Sequence, residues 1–135
     1  MFRNAILLAG AIQLAIAASS LAIPRVLGWR EETLRLEPLT RQVFWTYAVY
    51  ILSMNLAFGT LTLAVPDALI DGSVLARAVC ALIAAYWIGR LVVQFFVFDR
   101  SIASTRPLFR FAEAAYVSGF AYLAIVYASV AAGVV

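Results

Sequence analysis

Tyr86-Trp87-Ile88-Gly89-Arg90-Leu91-Val92-Val93-Gln94-Phe95-Phe96-Val97-Phe98-Asp99-Arg100 closes an apolar run that opens at Val74, and it carries an arginine and a glutamine within a stretch long enough to cross a bilayer. Side chains four positions apart stack along one face of a helix, so Tyr86, Arg90 and Gln94 fall on a single stripe. A charged side chain at bilayer depth costs roughly 2.5–3.5 kcal/mol unless it pairs, snorkels to the interface or turns inward. The other helices must therefore shelter Arg90.

Three further apolar runs flank this one. The spans expected are 5–23, 42–65, 74–98 and 111–135, each sufficient for a hydrocarbon core of about 30 Å. Pro24 closes the first and Pro66 the second, and Pro66-Asp67 to Asp71-Gly72-Ser73 is ordinary turn chemistry. So short a link implies antiparallel neighbours. The first run also reads as a signal peptide, with Arg3 ahead of it and Ala17-Ala18-Ser19 near its end. A retained helix is the better reading, because the run exceeds a usual signal core and its Ala11, Ala15 and Ala18 would permit close helix approach. Ala124, Ala128 and Ala132 suggest the same of the fourth span.

Composition agrees with an integral membrane protein: 65% of the 135 residues are hydrophobic and the mean hydropathy is +0.97. The fold class expected is all-α, a single transmembrane domain (1–135) built as a four-helix bundle in up-down order. All ten basic residues are arginine. With neither histidine nor lysine, bis-histidine haem, histidine-ligated di-iron centres, His-based triads and Lys Schiff bases are excluded. The single cysteine, Cys80, permits neither an intrachain disulfide nor a Cys-ligated cluster. No cofactor or metal is expected. Nor is nucleic acid a partner, since the net charge of +3 comes from arginines scattered in short loops with no dense basic stripe.

Those arginines set an orientation. Loops 24–41 and 99–110 hold Arg25, Arg30, Arg35, Arg41, Arg100, Arg106 and Arg110, whereas the termini and the 66–73 turn hold only Arg3, with Arg77 just inside the third span. The excess of positive charge predicts that both long loops are cytoplasmic and both termini non-cytoplasmic, in a bacterial inner membrane. In loop 24–41, Leu27, Trp29, Leu34 and Leu36 alternate with charges, which suits either a segment lying in the headgroups or a partner-docking loop. Glu31 and Arg35 are placed for an i,i+4 pair. Pro38-Leu39-Thr40-Arg41, nine residues before Tyr47, recurs as Pro107-Leu108-Phe109-Arg110, nine before Tyr116. A generic entry signal of proline, interfacial arginine and aromatic explains this better than duplication does.

The candidate site is a polar patch expected beneath the cytoplasmic headgroups. Arg90 lies about 12 Å of helical rise before Phe98, and Glu113 stands at the start of the fourth span, so the two are expected to pair. Gln94 would sit beside them, Tyr86, Tyr47 and Tyr116 would offer hydroxyls, and Asn55 and Gln13 would extend the patch inward. Arg41 joins it from the loop. No paired carboxylates, nucleophile motif or phosphate-cradling glycine loop accompanies these residues, so an enzyme is the weakest reading. The expected function is a non-catalytic membrane subunit or scaffold holding a partner membrane protein, a second copy of itself or lipid. A homo-oligomeric transporter or channel is the principal alternative, and a lipid- or quinone-active enzyme the third.

Overall fold

The computed structural model describes residues 2–97 and 107–133, and every regular element among them is a helix. They are α1 (Phe2–Ser20), α2 (Ile23–Val26), α3 (Trp29–Thr33), α4 (Pro38–Ala64), α5 (Pro66–Leu69), α6 (Val74–Phe96) and α7 (Pro107–Ala131). Four stretches are long and apolar enough to span a membrane: Phe2–Val26, Pro38–Ala64, Val74–Phe96 and Pro107–Ala131. Of the expected loop 99–110, residues 99–106 lie outside the described residues, and Arg100 and Arg106 with them.

Local chemistry sets the helix ends. α4 starts at Pro38, ahead of Gln42, because proline's fixed φ suits the first turn and its missing N–H has no helical partner there. Ser73 caps α6, its hydroxyl accepting from the Ala76 N–H at 3.1 Å, while its own N–H donates to Asp71 Oδ1 at 2.8 Å. That backbone bond, helped by the Ser73 side chain, holds the exposed Asp71 carboxyl below its usual range.

Segment 24–41 is more ordered than a loop. Gly28 takes φ 65°, a left-handed conformation that a side chain would resist, and so turns α2 into α3. Trp29 then meets Phe44 and Trp45 edge to face at 5.0 and 6.1 Å. The Trp45 indole donates to the buried Thr33 hydroxyl at 3.2 Å, which fastens α3 to the first turns of α4. Because α3 ends at Thr33, the i,i+4 geometry expected of Glu31 and Arg35 is lost. Arg35 meets Glu32 instead, at 3.5 Å and largely exposed.

The long helices associate chiefly as two pairs, α1 with α4 and α6 with α7, and α1 also packs along α7. Although a short link joins them, α4 and α6 scarcely approach each other through their backbones. At the link itself α5 packs against α1, α4 and α6. Across the gap, the Tyr86 ring meets Phe58 at 5.4 Å.

Each core face follows a 3–4 alternation. Ile6, Ala9, Gln13 and Ala17 are buried on α1, and Ala76, Cys80, Ile83 and Trp87 on α6. On α7 the buried line is Phe120, Leu123, Tyr127 and Val130. This is the spacing of left-handed helix packing. It rotates the seam away from Ala11, Ala15 and Ala18, which are exposed, contrary to the close-packing role expected of them. The α7 series is split, with Ala124 buried, Ala128 half-buried and Ala132 exposed.

Glycine provides the close approach of α1 to α4. A Cβ on Gly59 would fall 2.8 Å from Leu14 Cδ2 and 3.2 Å from the Gly10 carbonyl oxygen, and one on Gly10 would lie 2.9 Å from Leu63 Cγ. Gly59→Ile is expected to lower stability by about 1–3 kcal/mol, the usual cost of overpacking. Gly89→Ile, where nothing stands within 4 Å of an added Cβ, should stay within about 0.5 kcal/mol of the parent. Unfolding by SDS in mixed micelles would compare the two variants.

Candidate functional site

At the end of the bundle near loop 24–41, three side chains make a relay. Arg90 Nη1 donates to Gln94 Oε1 at 3.3 Å, and Gln94 Nε2 donates to Glu113 Oε2 at 3.0 Å. The contact expected between Arg90 and Glu113 thus runs through the carboxamide. One turn of α6 separates Arg90 from Gln94, and Glu113 faces them from α7. All three are half-buried.

Aromatic rings form the floor. The Arg90 guanidinium carbon lies 4.9 Å from the centroid of Phe120, itself 2% exposed, which is cation–π geometry. Phe120 also stacks with Trp87, at 5.3 Å, and with Tyr116, at 5.9 Å. A cation–π contact is worth about 0.5–1 kcal/mol where exposed and about 2 kcal/mol where desolvated, and the half-buried Arg90 lies between these limits. The guanidinium is therefore held by a ring face and a carboxamide together.

The other candidates divide. Tyr86 sits off the seam: in the 3–4 alternation Trp87, not Tyr86, precedes Arg90. Its hydroxyl donates to Asn55 Oδ1 at 2.9 Å, tying α6 to α4. Tyr116 shares a hydrogen bond of 2.6 Å with Ser19, which links α7 to the end of α1. Neither Arg41 nor Tyr47 joins the relay. Tyr47 is 64% exposed on the outer face of α4, where its neighbours are also exposed apolar residues.

Deeper in the bundle lies a second polar group that sequence reasoning recognised only through Gln13. The Trp87 indole donates to Gln13 Oε1 at 3.2 Å, and Gln13 Nε2 donates to the Tyr127 hydroxyl and, at 3.4 Å, to the Ala9 carbonyl. Tyr127 and Thr62 share a hydrogen bond, and the Thr62 hydroxyl donates to the Phe58 carbonyl at 2.8 Å. Since that hydrogen is committed, Tyr127 must be the donor to Thr62. The chain then runs one way, Trp87 to Gln13 to Tyr127 to Thr62 to Phe58, through all four long helices. Each of the four side chains is at most 1% exposed. Among the described residues no buried side-chain nitrogen or oxygen lacks a partner.

Chemically, the inner chain holds no carboxylate or cation, and it fixes helix positions. The outer relay presents a guanidinium and a carboxylate bridged by an amide. Among the described residues no three His, Cys, Asp or Glu side chains gather as metal ligands would. No family model, curated protein or solved structure matches the chain.

Proposed function

We propose that the chain is a non-catalytic membrane subunit or scaffold. It would sit in a bacterial inner membrane with its helices in up-down order, both termini on the non-cytoplasmic side and its arginine-rich loops in the cytoplasm. Through those loops and the Arg90–Gln94–Glu113 relay it holds a partner membrane protein. Contacts between helix ends support the up-down order: Arg3 meets Asp67 at 2.9 Å, Arg77 Nε donates to the Ala131 carbonyl at 3.0 Å, and Ser19 meets Tyr116 far from both. Arginine placement supports the sidedness.

One observation carries the reading: the polar groups in the middle of the bundle satisfy one another completely, while those at one end are only half-buried. A closed interior with a half-buried polar end suits docking better than passage or turnover. Gentle extraction from native membranes followed by native mass measurement would test it. The expected result is a complex with a second membrane protein, reduced roughly tenfold or more in Arg90→Leu, the scale of losing a buried hydrogen-bonded charge at an interface. A lone monomer from the parent membrane would reject the reading.

A homo-oligomeric transporter is the second reading, favoured by a charged residue, Arg90, within a membrane-spanning stretch. In that case Arg90→Ala would abolish flux in liposomes while the helical signal persisted.

A further inference from the structure

Between α2, the Gly28 turn, α3 and the start of α4 lies an open cavity of about 660 Å³. That is within the range of small-molecule sites, roughly 300–1,000 Å³. Two guanidinium groups and one carboxylate line it, those of Arg25, Arg30 and Glu31, with the Trp45 ring as a wall. The wall is set in place by its bond to Thr33 and its contacts with Trp29 and Phe44. Around the same opening Val26 and Leu27 are 60% and 46% exposed, apolar side chains at the very end of the first span.

What sets this cavity's ligand class is that charges of both signs line it. Arg25, Arg30 and Glu31 line one cavity, yet among the described residues none of their side chains makes a hydrogen bond or ion pair. Two positive groups and one negative group left apart around a space fit a ligand that carries both signs. At the edge of a membrane span, with acyl chains able to lie against Val26 and Leu27, such a ligand is a zwitterionic lipid headgroup.

We infer that this cavity seats the phosphoethanolamine headgroup of a phospholipid, its phosphate between Arg25 and Arg30 and its ammonium on Glu31 with the Trp45 ring beside it. A primary ammonium carries three hydrogen-bond donors for the Glu31 carboxylate, whereas a choline carries none and a glycerol headgroup carries no positive charge. Guanidinium forks match phosphate oxygens and the indole face attracts a cation. The order expected is ethanolamine above choline and above glycerol. The inference rests on the proposed membrane placement, with segment 24–41 at the headgroups, but holds for either leaflet.

The test is native mass spectrometry of the purified protein released from nanodiscs of equimolar phosphatidylethanolamine, phosphatidylcholine and phosphatidylglycerol. The parent should retain the ethanolamine lipid about fivefold over each of the others. Glu31→Gln should erase that preference while lipid is still retained, and Arg25→Gln with Arg30→Gln should lower retained lipid at least about fivefold. All three positions are exposed, so circular dichroism should show the fold intact. Equal retention of the three lipids by the parent, or a preference that survives Glu31→Gln, would overturn the inference, as would equally tight binding of water-soluble phosphoethanolamine. Failure to enter nanodiscs at all would instead count against the membrane placement, and the absence of a partner protein from the purified material has no bearing on the outcome.

Discussion

Trp87→Ala is expected to destabilise the bundle by about 3–5 kcal/mol, the range for removing a large aromatic side chain from a closed core. Trp87 is 1% exposed, packs between Phe120 and Tyr86, and is the only donor in the inner chain that reaches Gln13 Oε1. Within a membrane the loss is mainly of packing and hydrogen bonding, since lipid chains solvate apolar surface as well as a neighbouring helix does. A cavity left among four helices has no lipid to fill it. Ile88→Ala, one residue along and 48% exposed, supplies the comparison: its side chain faces outward, and its loss should fall within about 0.5 kcal/mol. Reversible SDS unfolding would give both values. A Trp87→Ala midpoint indistinguishable from that of Ile88→Ala would mean that the seam is not the core.

Gln13→Leu has the second largest expected effect, about 1–3 kcal/mol, the cost of orphaning buried hydrogen-bonding groups. Leucine replaces the carboxamide with little change in volume, so packing survives and the cost is electrostatic. The Trp87 N–H loses its acceptor and the Tyr127 oxygen loses a donor, both fully buried. Interhelical hydrogen bonds in bilayers contribute only about 0.6 kcal/mol on average, because an unfolded helix finds other partners. A polar group stranded in a packed interior has no such recourse, so the desolvation penalty should outweigh the modest worth of the bond itself. A double-mutant cycle with Trp87→Phe separates the two: removing both partners together should cost less than the sum of the single changes, by about 1 kcal/mol. Strict additivity would show that Gln13 and Trp87 do not communicate.

The helical class and the four apolar stretches were legible in the sequence because hydrocarbon demands length and apolarity, and both are visible without any tertiary information. Arg90, Gln94 and Glu113 were legible for the converse reason, since polar residues stand out against an apolar ground. Their arrangement was less so. A stripe drawn every four residues joins Tyr86 to Arg90, but helices that wrap around one another repeat every three and a half, and this substitutes Trp87. The alternation Tyr116, Phe120, Leu123, Tyr127, Val130 carried that signal in α7, and with it the inward placement of Tyr127. Thr62 left no such trace, because a threonine bonded to its own helix backbone looks the same whichever way it faces. The alanines of α1 misled because small side chains mark close packing only when they lie on the seam, and here Gly10 and Gly59 lie there instead.

The distance between α4 and α6 bears on how the protein is made. Because α4 and α6 stay apart, the first two long helices can leave the ribosome and settle together in the lipid before the third is synthesised, packed along the face that holds Gly10 and Gly59. The last two do the same around Arg90 and Phe120. Until these preformed halves meet, Gln13 has no indole to accept from and Tyr127 no threonine to donate to, so the inner chain acts as a latch that closes only when biosynthesis is finished. Quality control that removes membrane proteins with unsatisfied polar groups would then recognise a half-built molecule by the glutamine that all four helices must combine to hide.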